Sequence, residues 1–257
     1  MSLSGLDPVP RIGCVPYLNA RPLLEGIRSP VIERVPAQLY DIFQEDKLDA
    51  ALLSSIDVLK LLKPAVVDGI SISCKGPVLS VLLAYSGDLS DLRSVELDPS
   101  SHTSNFLARV VLEDFYGLKV DYVELQQRTS ANPPAVIIGD PALALAKCAS
   151  HSSLKFLDLG EEWMRHTGLP FVFALWTLRT DYPQKSKLAS MLRSAKTDGL
   201  GSLERIVNGT TDPKFTRTYL GKAICYDLDE DEKRGLKCFQ EFLEKKNGFS
   251  CSRIQYF

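Results

Sequence analysis

The usual signatures of a cofactor enzyme are missing from this 257-residue chain. It carries neither a Gly-x-Gly-x-x-Gly fingerprint nor a Walker pattern, which speaks against a nucleotide cofactor. Its three histidines, His102, His151 and His166, fall at helix ends and in a polar loop, and spacing assembles no Ser-His-Asp or His/Cys metal set from them. The six cysteines, at 14, 74, 148, 225, 238 and 251, are scattered, with no pair at zinc or redox spacing. Cys14, Cys74 and Cys225 sit in apolar runs and read as buried thiols in a reducing compartment. No cofactor and no metal are therefore expected. No run approaches the ~20 apolar residues of a membrane span, and the first residues lack the basic and apolar regions of a secretory signal. A formal net charge of −2 argues against a nucleic-acid footprint. The expectation is a soluble, cytoplasmic protein with neither membrane nor nucleic-acid partner.

What the chain does contain is an alternation of apolar strands and helical stretches. Arg11-Ile-Gly-Cys-Val-Pro-Tyr-Leu-Asn-Ala-Arg-Pro-Leu23 opens it with a buried strand, a polar turn and a helix start, Pro22 sitting where a first helical turn tolerates a missing N–H. Val31 to Val35, a helix from Pro36, and a third strand at Asp49 to Leu53 complete the pattern of a parallel sheet with crossover helices. Two extended segments follow, Gly69 to Cys74 and Val78 to Tyr85, with Lys75-Gly-Pro77 between them as a turn. Near residue 90 the pattern restarts, with strands at Val95 to Leu97, Val120 to Val123, Ala135 to Ile138 and Lys155 to Asp158. A helix at Leu159 to Gly168 and a long apolar strand at Leu169 to Trp176 come next. Beyond it the chain reads as helices over Pro183 to Thr197, Gly201 to Val207 and Asp229 to Lys246. The expected organisation is an α/β fold of two lobes, 1–88 and 176–257 forming the first and 89–175 the second, with a cleft between them.

Polar residues gather at the carboxyl ends of these strands, where an open α/β sheet presents ligands to the next helix. Asn19 and Arg21 follow the first strand, Ser54 to Asp57 the third, and Gly139-Asp140 the strand at 135. Ser101, Thr103 and Ser104 start the helix that runs through Phe106. Each has a plainer reading: Asn19 as a cap, Arg21 as a solvated cation, Ser80 as a satisfied core hydroxyl, the serine-threonine turn as ordinary capping. Together they line a cleft with small neutral hydrogen-bonders and helix N-termini, which suits a small organic anion. These residue types alone leave open whether such a molecule is converted or merely held.

Six blocks in order resemble the chorismate dehydratase family of menaquinone biosynthesis by the futalosine route. They are the opening stretch from Arg11 to Leu23, Gly76-Pro-Val-Leu-Ser-Val-Leu-Leu83, Ser101-His-Thr-Ser104, Ile138-Gly-Asp-Pro-Ala-Leu143, Asp158-Leu-Gly-Glu-Glu-Trp163, and Thr167-Gly-Leu-Pro-Phe-Val-Phe-Ala174. The resemblance implies a type 2 periplasmic-binding-protein-like fold, two α/β lobes closing on a ligand. It implies a lyase that dehydrates chorismate to 3-[(1-carboxyvinyl)oxy]benzoate, with chorismate as its small-molecule partner. Carried over by position, Asn19 and Ser80 would be catalytic, Asn19 orienting the substrate and its leaving hydroxyl and Ser80 bonding a carboxylate. Arg21, Ser54, Ser101, Thr103, Ser104, Gly139 and Asp140 would bind substrate. The base would be the substrate's own enolpyruvyl carboxylate, with Asp140 as the protein-based alternative.

Two positions depart from the family pattern. Ser54-Ser55 stands where a proline is common, and His102 replaces a frequent arginine, which removes a permanent cation and draws attention to Arg21. Two other readings remain beside the lyase: a cytoplasmic small-anion binding protein without catalysis, and the related 1,4-dihydroxy-6-naphthoate synthase. The usual Ser-Pro-Cys-Pro-Asn-Asp opening of that synthase is absent.

Overall fold

The computed structural model describes residues 9–124, 134–148, 154–248 and 250–257; the polar loop expected around His151 lies outside them. The strands are β1 (Ile12–Cys14), β2 (Val31–Glu33), β3 (Ala50–Ser54), β4 (Ala65–Cys74), β5 (Val81–Tyr85), β6 (Ser94–Leu97), β7 (Asp121–Glu124), β8 (Ala135–Ile138), β9 (Lys155–Asp158), β10 (Phe171–Leu178) and β11 (Gln255–Tyr256). The helices are α1 (Pro36–Gln44), α2 (Ser55–Lys60), α3 (His102–Arg109), α4 (Gly139–Cys148), α5 (Leu159–Thr167), α6 (Lys185–Gly201), α7 (Leu203–Asn208), α8 (Pro213–Thr218) and α9 (Glu230–Asn247).

They build two sheets, ordered β11-β4-β10-β3-β1-β2 and β7-β6-β8-β5-β9. In the first, β1 runs parallel to β2 and β3, while β10 is antiparallel to β3 and β4. In the second, β6 is parallel to β7 and β8, while β5 is antiparallel to β8 and β9. The two antiparallel strands, β5 and β10, are the first that the chain lays down after changing sheets. Sheet membership changes between Cys74 and Val81, and again between Asp158 and Phe171. Both changes fall earlier than the boundaries at 88 and 176 expected from the sequence. The first crossing holds the Lys75-Gly-Pro77 turn and the second holds α5, and the sequence pattern reads both as ordinary connections within a lobe.

The last third of the chain packs back on the first. Gly199 of α6 lies so close to Pro22 that an added Cβ would come within 1.8 Å of the Pro22 carbonyl oxygen. Aromatic rings from both sheets' surroundings meet around α9: Phe239 stands edge-on to Phe106 of α3, to Trp163 of α5 and to Phe171 of β10. Cys14 and Cys74 are buried as expected, but Cys225 is only partly so.

The first crossing is tied down by one carboxylate. Asp158, at the end of β9, accepts from the backbone N–H groups of Val78 and Leu79 at 3.0 and 2.7 Å, and from those of Gly160 and Glu161 at 3.0 and 3.1 Å. It caps α5 and fixes the loop that carries Ser80. Leu79 adopts φ +64° there, a left-handed backbone that a leucine rarely takes without outside support. Asp158→Ala leaves four N–H groups short of their acceptor in a buried place and should destabilise the fold by on the order of 3 kcal/mol, read from urea unfolding midpoints. A loss under about 0.5 kcal/mol would show that water replaces the carboxylate.

Candidate active site

A cavity lies between the two sheets and is lined by residues of both. Seven of the nine residues expected from the sequence line it: Asn19, Ser54, Ser80, Ser101, Thr103, Ser104 and Gly139, set among apolar walls such as Val15, Leu52, Ile72 and Phe173. Gly139 has φ +65°, and a Cβ there would press on the Tyr17 ring at 2.8 Å, so only glycine lets the end of β8 approach that ring.

Arg21 and Asp140 go elsewhere. Leu18–Leu23 forms a short 3₁₀ helix, in which residues three apart share a side. Leu18, Arg21 and Leu24 consequently face a separate surface groove together with Asp140, while Asn19 faces the cavity. Asp140 uses Oδ1 to accept from the Leu18 N–H at 3.1 Å, holding the start of that helix.

The polar walls differ in what they offer. Ser101 caps α3, accepting from the Ser104 N–H at 3.2 Å and donating its hydroxyl to Ser104 Oγ at 2.9 Å. Thr103 Oγ1 accepts from the Ile56 N–H at 3.0 Å. Ser104 and Thr103 thus keep their own hydroxyl hydrogens for the cavity, beside the N-terminus of α3. That is a donor wall, suited to a carboxylate.

The opposite side carries an acceptor. The Asn19 side-chain oxygen is buried without a partner among the described residues. Its backbone carbonyl accepts from the Tyr226 hydroxyl at 3.0 Å. The Tyr219 hydroxyl lies against the side chains of Ser80 and Asn19, which favour its ionised form, but burial outweighs them and pushes its pKa up, so it stays protonated. Tyr219 and Tyr226 were not foreseen. They lie some 200 residues after Asn19, in a stretch whose pattern reads as helix packing, and no local spacing signals that they reach this site.

Asp57 was noted in the sequence only as a carboxylate after the third strand. It is wholly buried; its Oδ2 accepts from Ser54 Oγ at 2.7 Å and its Oδ1 faces His102 Nδ1 at 2.7 Å. His102 therefore turns away from the cavity, where the family pattern suggested a cation for the ligand. Among the described residues the cavity lining holds no lysine, arginine or histidine.

Two α/β lobes, each led into by an antiparallel strand and set around a polar cavity, define the two-lobed periplasmic-binding-protein-like fold. A solved Candida albicans protein, described as exhibiting the generic periplasmic binding protein structural fold, superposes with a TM-score of 0.68 at 12% identity over 96% of this chain and 92% of its own. The family model for menaquinone biosynthesis matches residues 10–245. Chorismate dehydratase of Thermus thermophilus is 30% identical over 90% of this chain and 94% of its own length. Chorismate dehydratase of Campylobacter jejuni is 30% identical over 87% and 88%. The chain belongs to the chorismate dehydratase family. No helix among the described residues is long and apolar enough to cross a membrane.

The His102–Asp57 contact has a pH signature. The Asp57 hydrogen bond raises the His102 pKa above its ordinary value, partial burial and Lys60 opposing it and Asp41 adding to it. Stability from this pair is therefore fully present below the unfolded histidine's pKa of about 6.5 and is lost as pH rises through the higher folded value. The gap in melting temperature between the parent and His102→Gln should be widest at pH 5.5–6, in the rough window below that unfolded value, and narrow above it. The imidazole is 42% exposed, so the gap is small and shrinks with salt. A gap independent of pH would mean that His102 is neutral throughout.

Proposed function

We propose that this protein is a cytoplasmic lyase that dehydrates chorismate to 3-[(1-carboxyvinyl)oxy]benzoate in menaquinone biosynthesis. The reaction needs little acid–base power from the protein. The hydrogen on carbon 3 is acidified by conjugation through the ring diene to the carboxylate-bearing carbon, the hydroxyl leaves from carbon 4, and aromatisation drives the loss of water. What a protein must supply is orientation, and donors where charge accumulates on the ring carboxylate. Thr103, Ser104 and the N-terminus of α3 suit that task, and Ser80 suits the second carboxylate.

The observation that carries the reading is the buried, unpartnered side-chain oxygen of Asn19. A polar atom left bare in an otherwise bonded site costs stability unless a ligand satisfies it, and a substrate hydroxyl supplies the missing hydrogen. With Asp140 turned to the outer groove, the base is assigned to the substrate's enolpyruvyl carboxylate, held in reach by the walls of the cavity.

Purified protein mixed with chorismate should form the aromatic enol ether, followed by its ultraviolet absorbance, and should leave cyclic dehypoxanthine futalosine unchanged. Chorismate recovered intact from a bound complex would leave a binding protein. Asn19→Ala should keep the parent's melting temperature within a few degrees and lower turnover by ~100-fold, as removal of an oriented transition-state hydrogen bond does. Asn19→Asp adds negative charge beside a dianion and should weaken binding as well. A folded Asn19→Ala protein with near-parental turnover removes Asn19 from the mechanism.

A further inference from the structure

Ser54, Asp57 and His102 form a polar chain that leads from the cavity wall to the protein's exterior. Ser54 precedes α2 with Asp57 three residues on, the Ser-x-x-Asp spacing of a capping box. Yet the Ser54 side chain makes no capping bond to the helix backbone. It donates instead to Asp57 Oδ2 at 2.7 Å, and His102 Nδ1 meets the other oxygen at 2.7 Å. A carboxylate has no hydrogen to give, so both contacts run towards it. The single hydrogen of Ser54 is drawn inward, and its oxygen meets the cavity with lone pairs alone. Thr103 and Ser104, on the other lobe, have the reverse polarity.

We infer that Ser54 is an acceptor for the hydroxyl that leaves the substrate, and that Asp57, held by His102, is the positioning residue that keeps it an acceptor. The inference rests on the dehydration proposed above. Both carboxylates of chorismate are acceptors and are repelled by an oxygen of the same kind; the ring hydroxyl is the substrate's one donor. In the reaction the carbon 3–hydrogen bond breaks, its electron pair forms the new ring double bond, and the carbon 4–oxygen bond breaks. The hydrogen taken from carbon 3 ends on the departing oxygen. A hydroxyl brings one hydrogen, and the water it becomes brings two. The cavity holds two acceptors for them, Asn19 Oδ1 and Ser54 Oγ. Such a pair favours the departing water over the bound hydroxyl, which is the condition for accelerating the step.

Substrate and product differ at this atom, and that separates the idea from a plain binding role. Ser54→Ala should lower kcat on chorismate at least tenfold while changing affinity for 3-[(1-carboxyvinyl)oxy]benzoate, which has lost the hydroxyl, by less than twofold. Product binding also reports that the variant is folded. Asp57→Asn should lower kcat comparably, and the double variant Ser54→Ala/Asp57→Asn should be no slower than Ser54→Ala alone, since both changes remove one oriented acceptor. A near-parental kcat for Ser54→Ala overturns the inference. So does product affinity that falls as far as turnover, which would make Ser54 a carboxylate ligand, and so do multiplicative losses in the double variant, which would make Asp57 structural. A parent inactive on chorismate instead sinks the dehydration itself, and the inference with it.

Discussion

Much of this structure depends on one buried carboxylate that forms no ion pair among the described residues. Asp158 is balanced by four backbone N–H groups. Burial alone pushes its pKa up, and these bonds pull the other way. Two of them belong to the loop that carries the chain from β4 into β5 and two to the first turn of α5, so the same side chain sets where the second sheet begins and where its last helix starts. The strained backbone of Leu79 persists because both neighbours in the loop are anchored. Ser80 is displayed one residue later. Trp163, further along α5, is thereby delivered to the aromatic cluster with Phe171 and Phe239 that joins the lobes.

Asp57 solves the same problem by different means, and the contrast explains the character of the cavity. Its neighbours are a hydroxyl from its own lobe and an imidazole from the other. When protonated, His102 offsets the charge of Asp57 from behind the wall, so that a dianion in the cavity would not face an uncompensated carboxylate. An arginine pointed at the ligand would bind it tightly in every state. Neutral hydroxyls and a helix N-terminus hold charge less strongly but can be aimed, and aiming is what a reaction driven by aromatisation requires. The departure at position 102 thus bears on Asp57 first and on the ligand only through it.

The strands were legible because apolar residues at a strand period leave few alternatives, and β1, β3, β6, β8 and β9 fall within about two residues of where the pattern puts them. The hydroxyl-rich start of α3 was legible as well, because more side chains gather there than a cap uses. Arg21 misled because the strand-to-helix junction was read as displaying both polar residues to the ligand, whereas two positions apart on a 3₁₀ turn they point to different sides, Asn19 to the cavity and Arg21 to the outer groove. Tyr219 and Tyr226 were invisible for another reason. Their contacts with Asn19 span about 200 residues, and only the packing of the whole C-terminal third onto the first brings them there. The direction of the Ser54 hydrogen bond was unreadable too, since Ser-x-x-Asp at a helix start predicts capping in either case.

Among the polar contacts that cross between the lobes are these four: Ile56 N–H to Thr103 Oγ1, His102 to Asp57, Ala37 N–H to the Ser100 carbonyl, and Leu18 N–H to Asp140. Each is worth about 1 kcal/mol net, because water replaces it when the lobes part. Together they help to hold the two lobes around the cavity. Two of the four use groups that also shape the cavity wall. Thr103 must accept from Ile56 for its hydrogen to point at the ligand, and Asp57 must meet His102 for Ser54 to remain an acceptor. The contacts that join the lobes and the polarity of the cavity are consequently linked: the groups that make them also set the donors and acceptors facing the ligand. A site whose hydrogen-bonding pattern depends on contacts between the lobes ties the orientation of a ligand to the fold itself, which suits a reaction that needs aiming more than acid–base power.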